Sequence, residues 1–211
     1  MMAGVADLEE EKRLAAVAGA DLVEPGMRIG LGTGSTVAYL LPELGRRQLD
    51  LICVATSPAT ERAAKAVGLR VEPFETISRL DLAIDGADQV DPDHWLMKGG
   101  GGAHTREKIV AGAADRFAVI VSSNKQVDRL HTPVPVELSA FGLAALLARV
   151  PEIELRVGAA TTPDGGVLGD FNGVLDDREA LARRLDSLPG VVAHGLFPSA
   201  MVSVVLVGHA G

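Results

Sequence analysis

A single cysteine, Cys53, in 211 residues excludes an intrachain disulfide and any metal site built from several thiolates. It lies in the apolar run LICVA, which marks it as a core residue. Aromatic residues make up only 3% of the chain, so the core must be aliphatic, and rings for stacking nucleotide bases are not at hand. Basic charge is also short. The formal net charge is −8, and no basic face of the kind that phosphate-backbone binding needs is visible, which argues against nucleic acid. No apolar run approaches the roughly eighteen residues of a membrane span, and the first residues, MMAGVADLEEEKR, are acidic before any apolar stretch begins. These absences predict a soluble, cytoplasmic protein with no membrane partner. Repeats, low-complexity tracts and heptads are missing too.

What is present is enough to fold. Hydrophobic residues reach 47%, and a chain of this length buries a full core, either as one large domain or as one domain with a smaller companion. Residues 7–23 read as a helix, with Leu8, Leu14, Ala15, Ala18 and Leu22 near helical spacing and Pro25-Gly26 ending it. Strand and helix patterns then alternate. MRIGLG precedes TGST and VAYLLPELG, LICVA precedes TSPAT and ERAAKAVG, LRVEPF is a weaker strand pattern, LDLAID leads into an acidic loop, and RFAVIV leads into SSNK. Such alternation predicts an α/β fold with a Rossmann-like open parallel sheet and right-handed crossovers. Loops after strand C-termini share one edge of such a sheet, where ligands bind. Residues 33–36, 56–60, 85–88 and 122–125 are therefore expected to converge there.

From about His131 the pattern changes to strand, helix over 140–149, strand (IELRVG), strand (VLGDF), helix over 178–188 and strand (VVAHGLF). This β-α-β-β-α-β order predicts a small ferredoxin-like α+β unit, with turns marked by Pro163-Asp164-Gly165-Gly166 and Pro189-Gly190. The last apolar run, MVSVVLVG, is expected to return to the large sheet. The expected division is a catalytic domain of residues 1–130 with about 201–211, and a small domain of residues 131–200.

Chemistry concentrates between Leu80 and Lys108, LDLAIDGADQVDPDHWLMKGGGGAHTREK. Asp85, Asp88, Asp91 and Asp93 lie within nine residues. Aspartates in turns commonly bond their own backbone, and the D-x-D-x-D-G order of a calcium loop is absent. Four glycines, Gly99 to Gly102, suit close backbone approach to a ligand better than an ordinary turn, with a flexible hinge as the plainer alternative. Glu107 taken alone is a first-turn glutamate favoured by the helix dipole. Upstream, Gly30-Leu31-Gly32-Thr33-Gly34-Ser35-Thr36 joins a strand to a helix, where free amides and hydroxyls make a phosphate site. It lacks both the Gly-Lys-Ser/Thr of a P-loop and G-x-G-x-x-G spacing. Lys125, and Lys12 of the first helix, are candidates for the compensating charge.

GTGST, DGAD, KGGG with TREK, NKQVD and PGVVAHGLF, in that order, resemble type A ribose-5-phosphate isomerases, and the resemblance runs over nearly the whole chain. It implies interconversion of ribose 5-phosphate and ribulose 5-phosphate in the pentose phosphate pathway, without metal or cofactor, by a homodimer or a tetramer of dimers. Carried over by position, Glu107 matches the general base, and Asp85, Asp88 and Lys98 match the other catalytic groups. Substrate binding falls to Thr33, Gly34, Ser35, Thr36, Asp85, Gly86, Ala87, Asp88, Lys98, Gly99, Gly100, Gly101 and Lys125. The chain departs from the family pattern at Gln89, where glutamate is usual, in TSPAT, and at His104, usually small and apolar. No role passes to Thr56 or Ser57.

Three other readings compete. A phosphosugar-sensing domain on a similar fold would need an appended DNA-binding module, and one helix before Met27 leaves no room for a helix-turn-helix. An acyl-CoA transferase on a related fold would use a glutamate as nucleophile, and fold analogy alone does not exclude it. A metal-dependent sugar isomerase would take the aspartates as ligands.

Overall fold

The computed structural model describes residues 5–209, so residues 1–4 and 210–211 of the expected catalytic domain lie outside the described residues. The first half contains α1 (Val5–Ala20), β1 (Arg28–Leu31), α2 (Ser35–Arg47), β2 (Ile52–Ala55), α3 (Pro58–Ala66), β3 (Leu82–Asp85), β4 (Gln89–Val90), β5 (Leu96–Met97), α4 (His104–Gly112) and β6 (Phe117–Ser122). The second half contains β7 (Val134–Leu138), α5 (Leu143–Arg149), β8 (Ile153–Leu155), β9 (Val167–Phe171), α6 (Arg178–Asp186), β10 (Val191–His194), β11 (Leu196–Phe197) and β12 (Val204–Gly208).

Five parallel strands in the order β12-β6-β3-β1-β2 form the large sheet. Alternation along each strand decides its two faces. Ile29, Leu31, Leu82, Ile84 and Ile120 pack with α1 and α2, whereas Ala83, Phe117, Val119 and Val121 pack with Val110 and Ala111 of α4. Helices on both faces leave only the strand ends free for chemistry. β12 lies beside β6 in parallel register, so the last apolar run does return to this sheet. Among the described residues, no helix is long and apolar enough to cross a membrane.

The second sheet is antiparallel, in the order β10-β7-β9-β8, and with α5 and α6 it makes the expected ferredoxin-like unit. Val134, Val136, Leu146, Phe171 and Leu185 fill its core.

Several sequence expectations need correction. LRVEPF forms no strand: Val71 makes one parallel bridge to Cys53, and Pro73, which has no N–H to offer a ladder, follows at once. The first helix ends at Ala20 rather than residue 23. VVAHGLF is two strands, β10 and β11, because Gly195 turns out of the small sheet: its N–H donates to Pro135 O at 2.7 Å and its carbonyl accepts from Lys98 N–H at 2.8 Å. β11 then joins β5 and β4 in a third sheet that the sequence did not reveal.

Candidate active site

The site lies where β1, β3 and β6 end. After β1 the chain passes within touching distance of β3: a Cβ on Gly32 would fall 1.9 Å from Asp85 Cγ, so only glycine lets the two loops meet. The Thr33 N–H donates to Asp85 Oδ1 at 3.1 Å, and the Gly86 N–H to the same oxygen at 2.7 Å. Asp85 is thus fixed by two amides from its own and the neighbouring loop. The Thr33 hydroxyl is 2.8 Å from that of Thr56 and 3.1 Å from that of Thr60, which ties in the β2 loop. After β6, the buried Glu11 of α1 accepts from both the N–H and the hydroxyl of Ser123, at 2.8 and 2.7 Å. That bond sets the short turn carrying Lys125.

A cavity of about 130 Å³ opens among these loops, lined by residues 33–37, 86–88 and 98–101 with Glu107 and Lys125. Every expected site residue except Asp85 borders it. Asp85 stands behind Lys98, with its Oδ2 2.9 Å from the ammonium. Lys12 is not a wall of this cavity and donates to Glu9 at 2.6 Å. Its lining includes Ser35 and Thr36 at the N-terminus of α2 and the cationic Lys125, groups that attract an anion. Lys98, Glu107 and Asp88 border the same cavity.

Lys98 follows β5, and its backbone N–H is held by Gly195. Its side chain is 3% exposed and points between two carboxylates, Asp85 and Glu107, whose Oε2 is 3.3 Å away. It also donates to the Gly86 carbonyl and lies 5.6 Å from the centre of the Phe197 ring. Glu107 sits in the first turn of α4, buried, so the dipole and the Lys98 charge act together on it. Burial nevertheless wins. It pushes the Glu107 carboxyl up to about 8, the Asp85 charge adds to the rise, and Lys98 opposes it. Asp85 is raised by burial in the same way, against Lys98. Burial works against the charge on Lys98, but the two carboxylates overcome it and hold the ammonium above its ordinary value. Two acids and one ammonium are therefore packed where ionising both acids is costly.

Asp88 projects from the loop after β3 and is held by the glycine segment, Gly100 N–H donating to its Oδ2 at 2.8 Å. Asp91 serves structure: it accepts from the Asp93 and Trp95 amides and pairs with Arg178. Gln89, the departure from glutamate, uses both halves of its amide: Oε1 accepts from His131 N–H at 2.8 Å, and Nε2 donates to His131 O at 3.0 Å. A carboxylate lacks the second bond's donor. His104 is buried beneath Gly99, and burial, helped by Lys108, drives its imidazole down to about 3, so it is neutral. Among the described residues, no three His, Cys, Asp or Glu side chains are grouped to hold a metal ion.

Sequence reasoning missed Glu11, Gly195 and Arg156, whose guanidinium reaches the glycine segment from the small sheet. Each acts across a gap of more than 50 residues, and only their partners' motifs pointed toward the site.

Comparison with known proteins shows the family. The family model for ribose 5-phosphate isomerase A (phosphoriboisomerase A) matches residues 52–211. A ribose-5-phosphate isomerase A of Rhodopseudomonas palustris (strain HaA2) is 44% identical over 222 residues, covering 96% of each chain. The solved ribose 5-phosphate isomerase A of Methanocaldococcus jannaschii superposes with a TM-score of 0.86 at 32% identity, over 94% of this chain and 96% of that one. A D-ribose-5-phosphate isomerase solved with phospho-erythronic acid gives 0.87 at 33% identity, over 94% and 95%. Matched along nearly its whole length in sequence and in backbone, the chain belongs to the ribose 5-phosphate isomerase A family.

Proposed function

We propose that this protein interconverts D-ribose 5-phosphate and D-ribulose 5-phosphate without a metal ion, through an enediolate, with Glu107 as general base. The observation that carries this reading is the buried Glu107 carboxylate 3.3 Å from Lys98 Nζ, bordering the same cavity as the α2 N-terminus and Lys125. The phosphate is held at the α2 end by amides and hydroxyls of residues 34–36 and by Lys125. The reacting carbons then reach Glu107. Its carboxylate takes the C2 proton of the open-chain aldose and returns it to C1, while Lys98 stabilises the oxygen that gains charge. Asp88, which borders the cavity, moves the hydroxyl protons and assists ring opening, while Asp85, behind Lys98, holds the ammonium in place. Phospho-erythronic acid, the partner in a related structure, is an acid with a phosphate and fits the same two-ended recognition.

The reading extends to the non-oxidative pentose phosphate pathway, a cytoplasmic location, a homodimer, and the division into residues 1–130 with 201–211 and residues 131–200. The experiment is conversion of ribose 5-phosphate by purified protein in excess chelator. Turnover supports the metal-free isomerase. Activity lost to chelator and restored by a divalent ion favours the metal-dependent reading, and no turnover at all favours the sensor or the transferase.

The pH profile offers a separate check. A base must be ionised to act, so a raised pKa moves the acid limb upward: kcat/KM should climb with pH toward about 8 and then level, well above the usual carboxylate range. Stability runs the other way. The folded carboxyl keeps its proton at pH values where the unfolded one, near 4.5, has lost it, so Glu107 makes stability fall as pH rises from about 4.5 to 8. Chemical denaturation across that window should show this slope, and Glu107→Gln should flatten it.

A further inference from the structure

The glycine segment of the site is held from outside the large sheet. Arg156 directly follows β8, and its backbone is fixed by a 3.0 Å bond from its N–H to Leu168 O. Nε and Nη2 donate to the two oxygens of Asp170 at 2.8 and 2.7 Å, a bidentate pair that sets the plane of the guanidinium. The third nitrogen, Nη1, is thereby aimed at the glycine segment, donating to Gly99 O at 2.9 Å and to Gly100 O at 3.2 Å. Those two carbonyls flank the Gly100 amide that binds Asp88, and Gly99 directly follows Lys98. Gly99 has φ +102° and packs against His104 and Pro135, its carbonyl also accepts from Gly102 N–H at 3.0 Å, and Gly100 N–H is the donor to Asp88 Oδ2.

We propose that Arg156 is a positioning residue of the active site: its guanidinium clamps the Gly99 and Gly100 carbonyls, and so fixes the Gly100 amide on Asp88 and the backbone that carries Lys98. This rests on the isomerase reading for its kinetic consequence, but its geometric consequence does not. Without the clamp, the Gly99 carbonyl keeps its bond from Gly102 N–H, but the Gly100 carbonyl loses Arg156 and the Gly100 amide is less firmly held on Asp88. The phosphate end, 33–36 and Lys125, has no bond to Arg156 and keeps its grip.

The β8–β9 hairpin has its own attachments to α4. Thr162 donates to Glu137 Oε1 at 2.6 Å, the Thr105 hydroxyl donates to the other Glu137 oxygen, and Arg106 pairs with both Asp164 oxygens at 2.6 and 2.7 Å. Removal of Arg156 therefore leaves the hairpin docked, and the effect is confined to the glycine segment.

The test is Arg156→Ala read in two ways. In hydrogen exchange, the Gly100 amide should exchange at least about tenfold faster than in the parent, as a locally opened segment does. In turnover of ribose 5-phosphate, kcat should fall on the order of 10²-fold, the scale of a misplacement of about 1 Å, with KM changed far less. Methylguanidinium should restore part of the lost kcat. Arg156→Lys keeps the charge without the fork and should recover little. A folded Arg156→Ala protein with parental exchange at Gly100 overturns the proposal, as does one with parental kcat. If that variant does not fold, Asp170→Asn, which leaves the guanidinium but removes its bidentate orientation, is read by the same two measures. A parent without turnover counts against the isomerase reading alone, because the exchange measurement needs no reaction and still decides on Arg156.

Discussion

Glu107→Gln is expected to lower kcat for ribose 5-phosphate by about 10²- to 10⁴-fold, the range that a positioned general base contributes. The amide keeps the shape and the place in the first turn of α4, but it cannot accept a proton from carbon. KM should move little, since the phosphate end of the cavity is untouched. Folding should not suffer: a neutral group replaces a carboxylate whose ionisation is opposed by burial and by Asp85. The measurement is steady-state turnover in chelator beside a denaturation curve. Equal turnover in parent and variant would keep the isomerase and remove Glu107 as its base. If both were inactive, the function itself would be wrong.

Lys98→Met should cost both activity and stability, and the two losses separate by pH. The ammonium is enclosed between Asp85 at 2.9 Å and Glu107 at 3.3 Å, so its removal leaves two buried carboxyls with no counter-charge. Breaking a buried pair in this way costs about 3–5 kcal/mol when the remaining charge stays ionised. The carboxyls escape part of that by keeping their protons. Their folded pKa values, already raised by burial, rise further, so the destabilisation is small in acid and grows as pH rises through the neutral range. Turnover should fall by about 10²- to 10³-fold where Glu107 is ionised, the scale of one lost oxyanion donor, and by more at lower pH, where the further raised carboxyl keeps its proton. Asp85→Asn added to Lys98→Met should return stability near neutrality but not turnover, which isolates the electrostatic part in a double-mutant cycle. A Lys98→Met protein with parental turnover would remove the ammonium from the mechanism.

How far the sequence reaches can be argued from individual residues. The strand-turn-helix pattern of a parallel sheet dictates that loops after β1, β3 and β6 share an edge, so Thr33, Asp88 and Lys125 were legible as neighbours although up to 92 residues separate them. The same logic found the return of β12. It could not find β4, β5 and β11, because strands of two residues carry no periodicity. Nor could it place Asp85 behind Lys98 rather than on the cavity wall, since alternation gives the face of a strand and not the depth of a side chain. Arg156 was invisible for a related reason. Nothing local marks an arginine that bonds a carbonyl 57 residues away. Gln89 read as a departure from its family, and only the paired bonds to His131 show what the amide does.

The near-complete burial of Glu107 has an isotopic consequence. In the proposed mechanism, a proton lifted from C2 rests on a carboxyl that is 6% exposed, beside an ammonium that is 3% exposed. Return to C1 then competes well with exchange into bulk water. Ribulose 5-phosphate formed from ribose 5-phosphate deuterated at C2 should retain part of that label at C1, and a protein whose site were open to solvent would wash it out.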